Sequence, residues 1–86
     1  MQTVSVRLFA RFRERAGTEV VSVTLPVGVG VTVLRQELAR RWPDLAELVT
    51  KAAIAVNEEY VAEDRVIGPG DDVALIPPVS GGMNRA

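Results

Sequence analysis

The chain contains no cysteine and no histidine. Those absences remove disulfides, thiolate and imidazole metal ligands, cysteine nucleophiles and the usual general base, so any chemistry must rest on carboxylates or on the main chain. No metal site is expected. No apolar run reaches the length of a signal-peptide core or a membrane span, because Ser, Thr, Arg or Gly interrupts each strand-like stretch. A cytoplasmic protein with no membrane partner is the expectation. An excess of positive charge is missing too: ten basic residues face eleven acidic ones, a formal net charge of -1, which leaves no general electrostatic drive toward nucleic acid. Lysine is nearly absent, with Lys51 alone against nine arginines, a compositional habit rather than a site. At 86 residues the chain has room for one domain and a modest core, with little left for a deep active site between lobes.

What is present is a set of short periodic segments. Val4, Val6 and Leu8 alternate with Ser5, Arg7 and Phe9, and Val21, Val23 and Leu25 repeat the period, so Thr3 to Ala10 and Glu19 to Leu25 are predicted as antiparallel strands. Between them Arg11 to Ala16 reads as a turn of helix closed by Gly17. After the turn-rich Pro26 to Gly30, Thr32 is a candidate N-cap for a helix to about Trp42, with Leu34, Leu38 and Trp42 on one stripe and Arg35, Gln36, Arg40 and Arg41 mostly off it. Pro43 ends that helix, and Asp44 with Glu47 has the spacing of a capping box opening a short second helix. Ala53 to Asn57 is a third strand, Tyr60-Val61 a minor one, and Gly68-Pro69-Gly70-Asp71-Asp72 a turn into a last strand, Val73 to Pro77. Asp71 and Asp72 read as turn residues rather than an acid/base pair. The order gives a two-layer α+β fold with one main covering helix and a bare sheet face. Phe9 and Ile76 are out of phase with the core positions of their strands, which places both on that face as interface candidates or as single exposed apolar residues.

Behind the last strand stands Pro77-Pro78-Val79-Ser80-Gly81-Gly82, and then Met83 to Ala86. The prolines fix φ and favour an extended stem, and six extended residues project a chain end by up to ~20 Å. Gly81 and Gly82 let bare backbone enter a pocket too narrow for a Cβ. A frayed terminus is the plainer alternative. The division expected is a domain over 1–77 and a tail over 78–86.

Three blocks carry a family resemblance: Leu8-Phe9-Ala10-Arg11-Phe12-Arg13-Glu14 with Ala16-Gly17-Thr18; Ala55-Val56-Asn57-Glu58-Glu59-Tyr60; and Gly70-Asp71-Asp72-Val73-Ala74-Leu75-Ile76-Pro77-Pro78-Val79-Ser80-Gly81-Gly82. Over Val4 to Gly82 the chain resembles the small subunits of molybdopterin synthase, ubiquitin-like sulfur carriers of β-grasp fold. The resemblance implies that an adenylating activating enzyme uses ATP on the terminal glycine, with no cofactor bound by the carrier itself. The acyl-adenylate becomes a thiocarboxylate, which enters the large subunit of the synthase, within a heterotetramer, and gives sulfur to the molybdopterin dithiolene. It makes Gly82 the activated terminus and Gly81 its slender approach. Phe9, Tyr60 and Ile76 become the apolar contact surface for the large subunit and the activating enzyme, and Pro77, Pro78, Val79 and Ser80 the stem beside it. Arg13 becomes a polar contact, although with Arg11 and Arg15 it also fits a solvated charged face. Such chemistry needs no side chain on the carrier, in keeping with the missing Cys and His. One departure stands out: Gly82 is followed by Met83-Asn84-Arg85-Ala86, so a free glycine carboxylate requires a processing peptidase, or else this copy is a storage form or a binding relic. Two other readings stay open, a carrier for thiamin or tRNA thiolation and a ubiquitin-like modifier or adaptor that never accepts sulfur.

Overall fold

The computed structural model describes residues 1–78. Strand β1 (Gln2–Leu8) buries Val4, Val6 and Leu8 and turns Thr3 and Ser5 to solvent, as its two-residue period requires. It pairs antiparallel with β2 (Val20–Leu25), Val4 opposite Val23 and Val6 opposite Val21. Helix α1 (Ala10–Ala16) connects them and is closed by Gly17, which adopts φ 74° and donates its N–H to the Arg13 carbonyl at 2.9 Å. The longer helix α2 (Val31–Arg41) is followed by a 3-10 turn (Pro43–Leu45), the short α3 (Ala46–Lys51), β3 (Ala53–Val56), β4 (Glu59–Tyr60) and β5 (Asp72–Ile76).

The five strands form one mixed sheet in the order β2-β1-β5-β3-β4. Its centre is the parallel pair of first and last strands, Val6 opposite Val73 and Leu8 opposite Leu75, and β3 flanks β5 antiparallel. One face lies under α2, whose Val31, Leu34 and Leu38 are fully buried against Val6, Leu8, Val23, Ile54, Val73 and Leu75 in the core cluster. The architecture is the ubiquitin-like β-grasp, and the final strand leaves the sheet from its middle.

Several local expectations are corrected by tertiary contacts. Strand β1 stops at Leu8 rather than Ala10, because Ala10 turns into the left-handed region at φ 51° and starts α1. Helix α2 begins at Val31 with Gly30, not Thr32, in the cap position. The loop over 63–65 takes over the capping: Val31 N–H donates to the Arg65 carbonyl at 3.0 Å and Thr32 N–H to the Glu63 carbonyl at 3.2 Å. Gly30 permits that approach, since a Cβ there would stand 3.3 Å from both carbonyl oxygens. The capping box at Asp44 and Glu47 does not form. No side chain caps α3, and the Asp44 carboxylate instead accepts from Arg15 Nε at 2.9 Å. The third strand ends at Val56, and Asn57-Glu58, both at positive φ (53° and 70°), make the tight hairpin turn into β4. Val61 lies just outside β4, and β5 runs from Asp72 to Ile76, one residue earlier at each end than predicted.

Two packed groups lie outside the helix stripe, one buried and one half-buried. Phe12 of α1 is fully buried and stacks on Trp42, ring centroids 6.4 Å apart and planes at 25°. Arg35 bends over the end of α3, donating to the carbonyls of Val49 (2.8 Å) and Ala52 (2.6 Å) and pairing with Glu63.

Candidate functional site

The sheet face opposite α2 has no helix over it, and its composition follows from register. Residues paired directly across strands share a face, so Val20, Arg7, Ala74, Ala55 and Tyr60 form one row from edge to edge. One step toward the C-terminal end of β5 lie Ile76 and its partner Ala53, and Phe9 continues the outward phase of β1 beyond Leu8. Phe9 is 40% exposed, Val20 46% and Tyr60 73%, while Ile76 and Pro77 are half-buried and Pro78 is exposed. Ala55 and Ala74 stand apart from the core cluster yet are nearly buried. Small side chains thus lie between the larger Arg7 and Tyr60 along the row. A contiguous exposed apolar patch of this kind marks a contact surface.

The structure therefore gathers Phe9, Tyr60, Ile76, Pro77 and Pro78 on or at the end of one face. Arg13 stands at its β2 border, exposed, sharing a shallow surface depression with Gly17, Thr18, Glu19 and Val20. Val79, Ser80, Gly81 and Gly82 lie outside the described residues, as do Met83 to Ala86. Arg7, Val20, Ala55 and Ala74 were not singled out from sequence. Strand phase carried the signal for Arg7, which shares the parity of Phe9, whereas the two alanines become meaningful only once β3 is known to lie beside β5.

Charge on the face is sparse. Arg7 Nη2 lies 3.2 Å from Asp72 Oδ2, both side chains partly exposed. The turn before β5 is fixed by Asp71: Gly68 N–H donates to Oδ2 at 2.8 Å, Asn57 Nδ2 donates to Oδ1 at 3.1 Å, and Arg65 Nη1 lies 3.3 Å from Oδ2. Those contacts, the Gly68 N–H first, hold the Asp71 carboxyl below the usual carboxylate range. Among the described residues no three Asp or Glu side chains gather to hold a metal ion, and no helix is long and apolar enough to cross a membrane.

The sequence pattern of the ThiS family matches residues 6–82. The molybdopterin synthase sulfur carrier subunit of Escherichia coli is 39% identical over 82 residues, covering 92% of this chain and 99% of that one. A Pyrococcus furiosus protein assigned as subunit 1 of molybdopterin converting factor has a structure that superposes with a TM-score of 0.80 at 34% identity, covering 92% of this chain and all of that one. Subunit 1 or 2 in the complex of molybdopterin-converting factor subunits 1 and 2 from Helicobacter pylori gives a TM-score of 0.65 at 26% identity over 94% of this chain and all of that one. In its β-grasp sheet, its outward apolar face and a pattern that runs to the second glycine, the chain belongs to the ThiS family.

Proposed function

We propose that this chain is the sulfur carrier of a molybdopterin synthase, presenting the carboxyl group of Gly82 to partners that dock on the open sheet face. The observation that carries the reading is the continuity of face and tail. Strand β5, in the middle of the sheet, brings Ile76 to the apolar end of the face, and Pro77-Pro78 lead on toward Gly81-Gly82, where the family match ends. A partner that grips Phe9, Tyr60 and Ile76 receives the following chain from a fixed point and direction. The relatives' names support the molybdopterin branch, and the two-subunit Helicobacter pylori complex supports a large-subunit partner; a heterotetramer is the assembly this reading expects.

The chemistry proceeds at the chain end. A peptidase hydrolyses the Gly82–Met83 bond, water supplying the second oxygen of the new carboxylate. An activating enzyme, docked on the same face in the cytoplasm, joins that carboxylate to the AMP portion of ATP with release of pyrophosphate. A sulfur nucleophile then displaces AMP and leaves a thiocarboxylate. Docked on the large subunit, the thiocarboxylate sulfur bonds to a carbon of the pterin precursor and displaces an oxygen substituent. Water then hydrolyses the resulting thioester, which leaves the sulfur on the precursor as one half of the dithiolene and returns Gly82 as a carboxylate. No step needs a titratable side chain on the carrier.

The test uses the full chain, a version ending at Gly82 and a Gly82→Ala version of the latter, each incubated with activating enzyme, ATP and a sulfide source and weighed by intact-mass spectrometry. The version ending at Gly82 gains the mass of one oxygen-to-sulfur exchange, the full chain gains nothing, and the alanine version is impaired because its methyl group crowds the approach. Failure of the version ending at Gly82 to accept sulfur while it still binds the large subunit would reject the carrier reading in favour of an adaptor.

A further inference from the structure

We infer that Arg7 is a polar anchor of the docking face and that the partner covering it brings a carboxylate. The inference rests on the docking reading above. Arg7 is the one charged side chain in the row Val20–Arg7–Ala74–Ala55–Tyr60, and it lies two residues before Phe9 on the same face, about 7 Å along the strand. A partner that spans Phe9, Ile76 and Tyr60 closes over ground that Arg7 borders. Among the described residues only Asp72 answers it, through Nη2 at 3.2 Å, and Arg7 Nε is shielded from solvent with no hydrogen-bond acceptor there.

Docking removes water from the guanidinium donors that Asp72 does not use, and donors dehydrated without an acceptor oppose binding. The acceptor must come from the partner. A carboxylate fits the planar fork in two-point fashion and answers its charge. Asp72 is the sole acid among the outward positions of β1, β3 and β5, so the face itself offers Arg7 no second carboxylate. Arginine whose donors are paired on docking is a recurrent hot spot at protein interfaces.

The experiment measures binding of the large synthase subunit from the same organism by calorimetry at two salt concentrations. The variants are Arg7→Leu, Arg7→Glu, Asp72→Asn and, as a reference for the face, Phe9→Asp, each first checked for an unchanged melting profile. Arg7→Leu should bind about tenfold more weakly or worse and lose most of the salt dependence, and Arg7→Glu about a hundredfold more weakly. Asp72→Asn frees Arg7 for its partner, so it should bind as tightly as the natural chain or more tightly. Unchanged binding by Arg7→Leu alongside lost binding by Phe9→Asp overturns the inference and leaves the docking reading standing. Equal weakening by Asp72→Asn and Arg7→Leu also overturns it, because the pair would then be an internal brace. Unchanged binding by Phe9→Asp and Arg7→Glu together removes the docking reading and the inference with it.

Discussion

Phe9 and Phe12 stand three residues apart, and the structure separates their roles. Phe12 is fully buried beneath α1 and stacks on Trp42, whereas Phe9 precedes the helix in extended conformation and keeps 40% of its surface exposed. Phe12→Ala should cost about 3–5 kcal/mol, transfer and cavity together. At roughly 0.05–0.15 kcal/mol per residue the whole domain has about 4–13 kcal/mol of stability, so this one change removes roughly a quarter of it or more. With a small domain losing about 4–8 °C of melting temperature per kcal/mol, Tm should fall by roughly 12–40 °C. Phe9→Ala removes a side chain already partly in water and should cost under about 1.5 kcal/mol of stability. At an interface, however, an aromatic of this kind is worth about 2 kcal/mol or more of binding. Urea and thermal unfolding by circular dichroism, with calorimetric titration of the large subunit, measure both quantities on both variants. Were Phe9→Ala to unfold the domain at room temperature, or Phe12→Ala to leave the melting temperature within a few degrees, the assignment of faces at the end of β1 would be wrong.

Arg35→Ala strips the Val49 and Ala52 carbonyls and Glu63 of a shared donor and should destabilise by about 2–3 kcal/mol in urea unfolding, with Arg35→Lys recovering only part because a point charge cannot reach all three. Ala10→Gly should stabilise by about 0.5–1 kcal/mol, since glycine relieves the left-handed strain at φ 51°, worth about 1–2 kcal/mol, against an entropic cost of about 0.5–1 kcal/mol; loss of stability in the same assay would deny that strain. The depressed Asp71 pKa makes acid destabilising: its contribution is fully present above the unfolded carboxylate pKa of about 4 and is lost as pH falls below that toward the lower folded value. The urea midpoint should therefore drop on acidification below about pH 4, and less steeply in Asp71→Asn.

The strands of this fold were legible because their faces differ. Val4, Val6 and Leu8 bury one side of β1 while Thr3 and Ser5 stay wet, and the same contrast put Phe9 and Ile76 outside. The α2 stripe was legible for the same reason at helical period. What escaped was set by distant chain. Thr32 looks like an N-cap only until the 63–65 loop supplies carbonyls to the first helical N–H groups, and Asp44 looks like a capping residue only until Arg15 is beside it. Phe12 sits in a segment dense in arginine, where a single aromatic makes no periodic pattern, and its burial depends on Trp42 thirty residues away. Arg35 lies mostly off the apolar stripe, and nothing local announces three acceptors converging on its guanidinium. The docking row suffered likewise, since Ala55 and Ala74 belong to strands that meet only through the fold.

The parallel pairing of β1 and β5 bears on how a small domain can aim its chain end. A strand slipped by one residue would turn Ile76 inward and bring Leu75 to the open face, reversing the apolar pattern. Two ladders, to β1 and β3, oppose that slip, but each is short, so the start of β5 needs a fixed point. Asn57 provides it. Its backbone N–H donates to the Asp72 carbonyl at 2.7 Å, its Oδ1 accepts the Asp72 N–H at 3.0 Å, and its Nδ2 donates to Asp71 Oδ1 at 3.1 Å. Asn also tolerates the positive φ of the hairpin turn, which most side chains resist. One residue thus closes the β3–β4 hairpin and sets the register of the strand that leads to the tail. The outward phase of Ile76, and with it the place from which Pro77 and Pro78 depart, is tied to contacts that the chain makes with itself at the opposite end of β5.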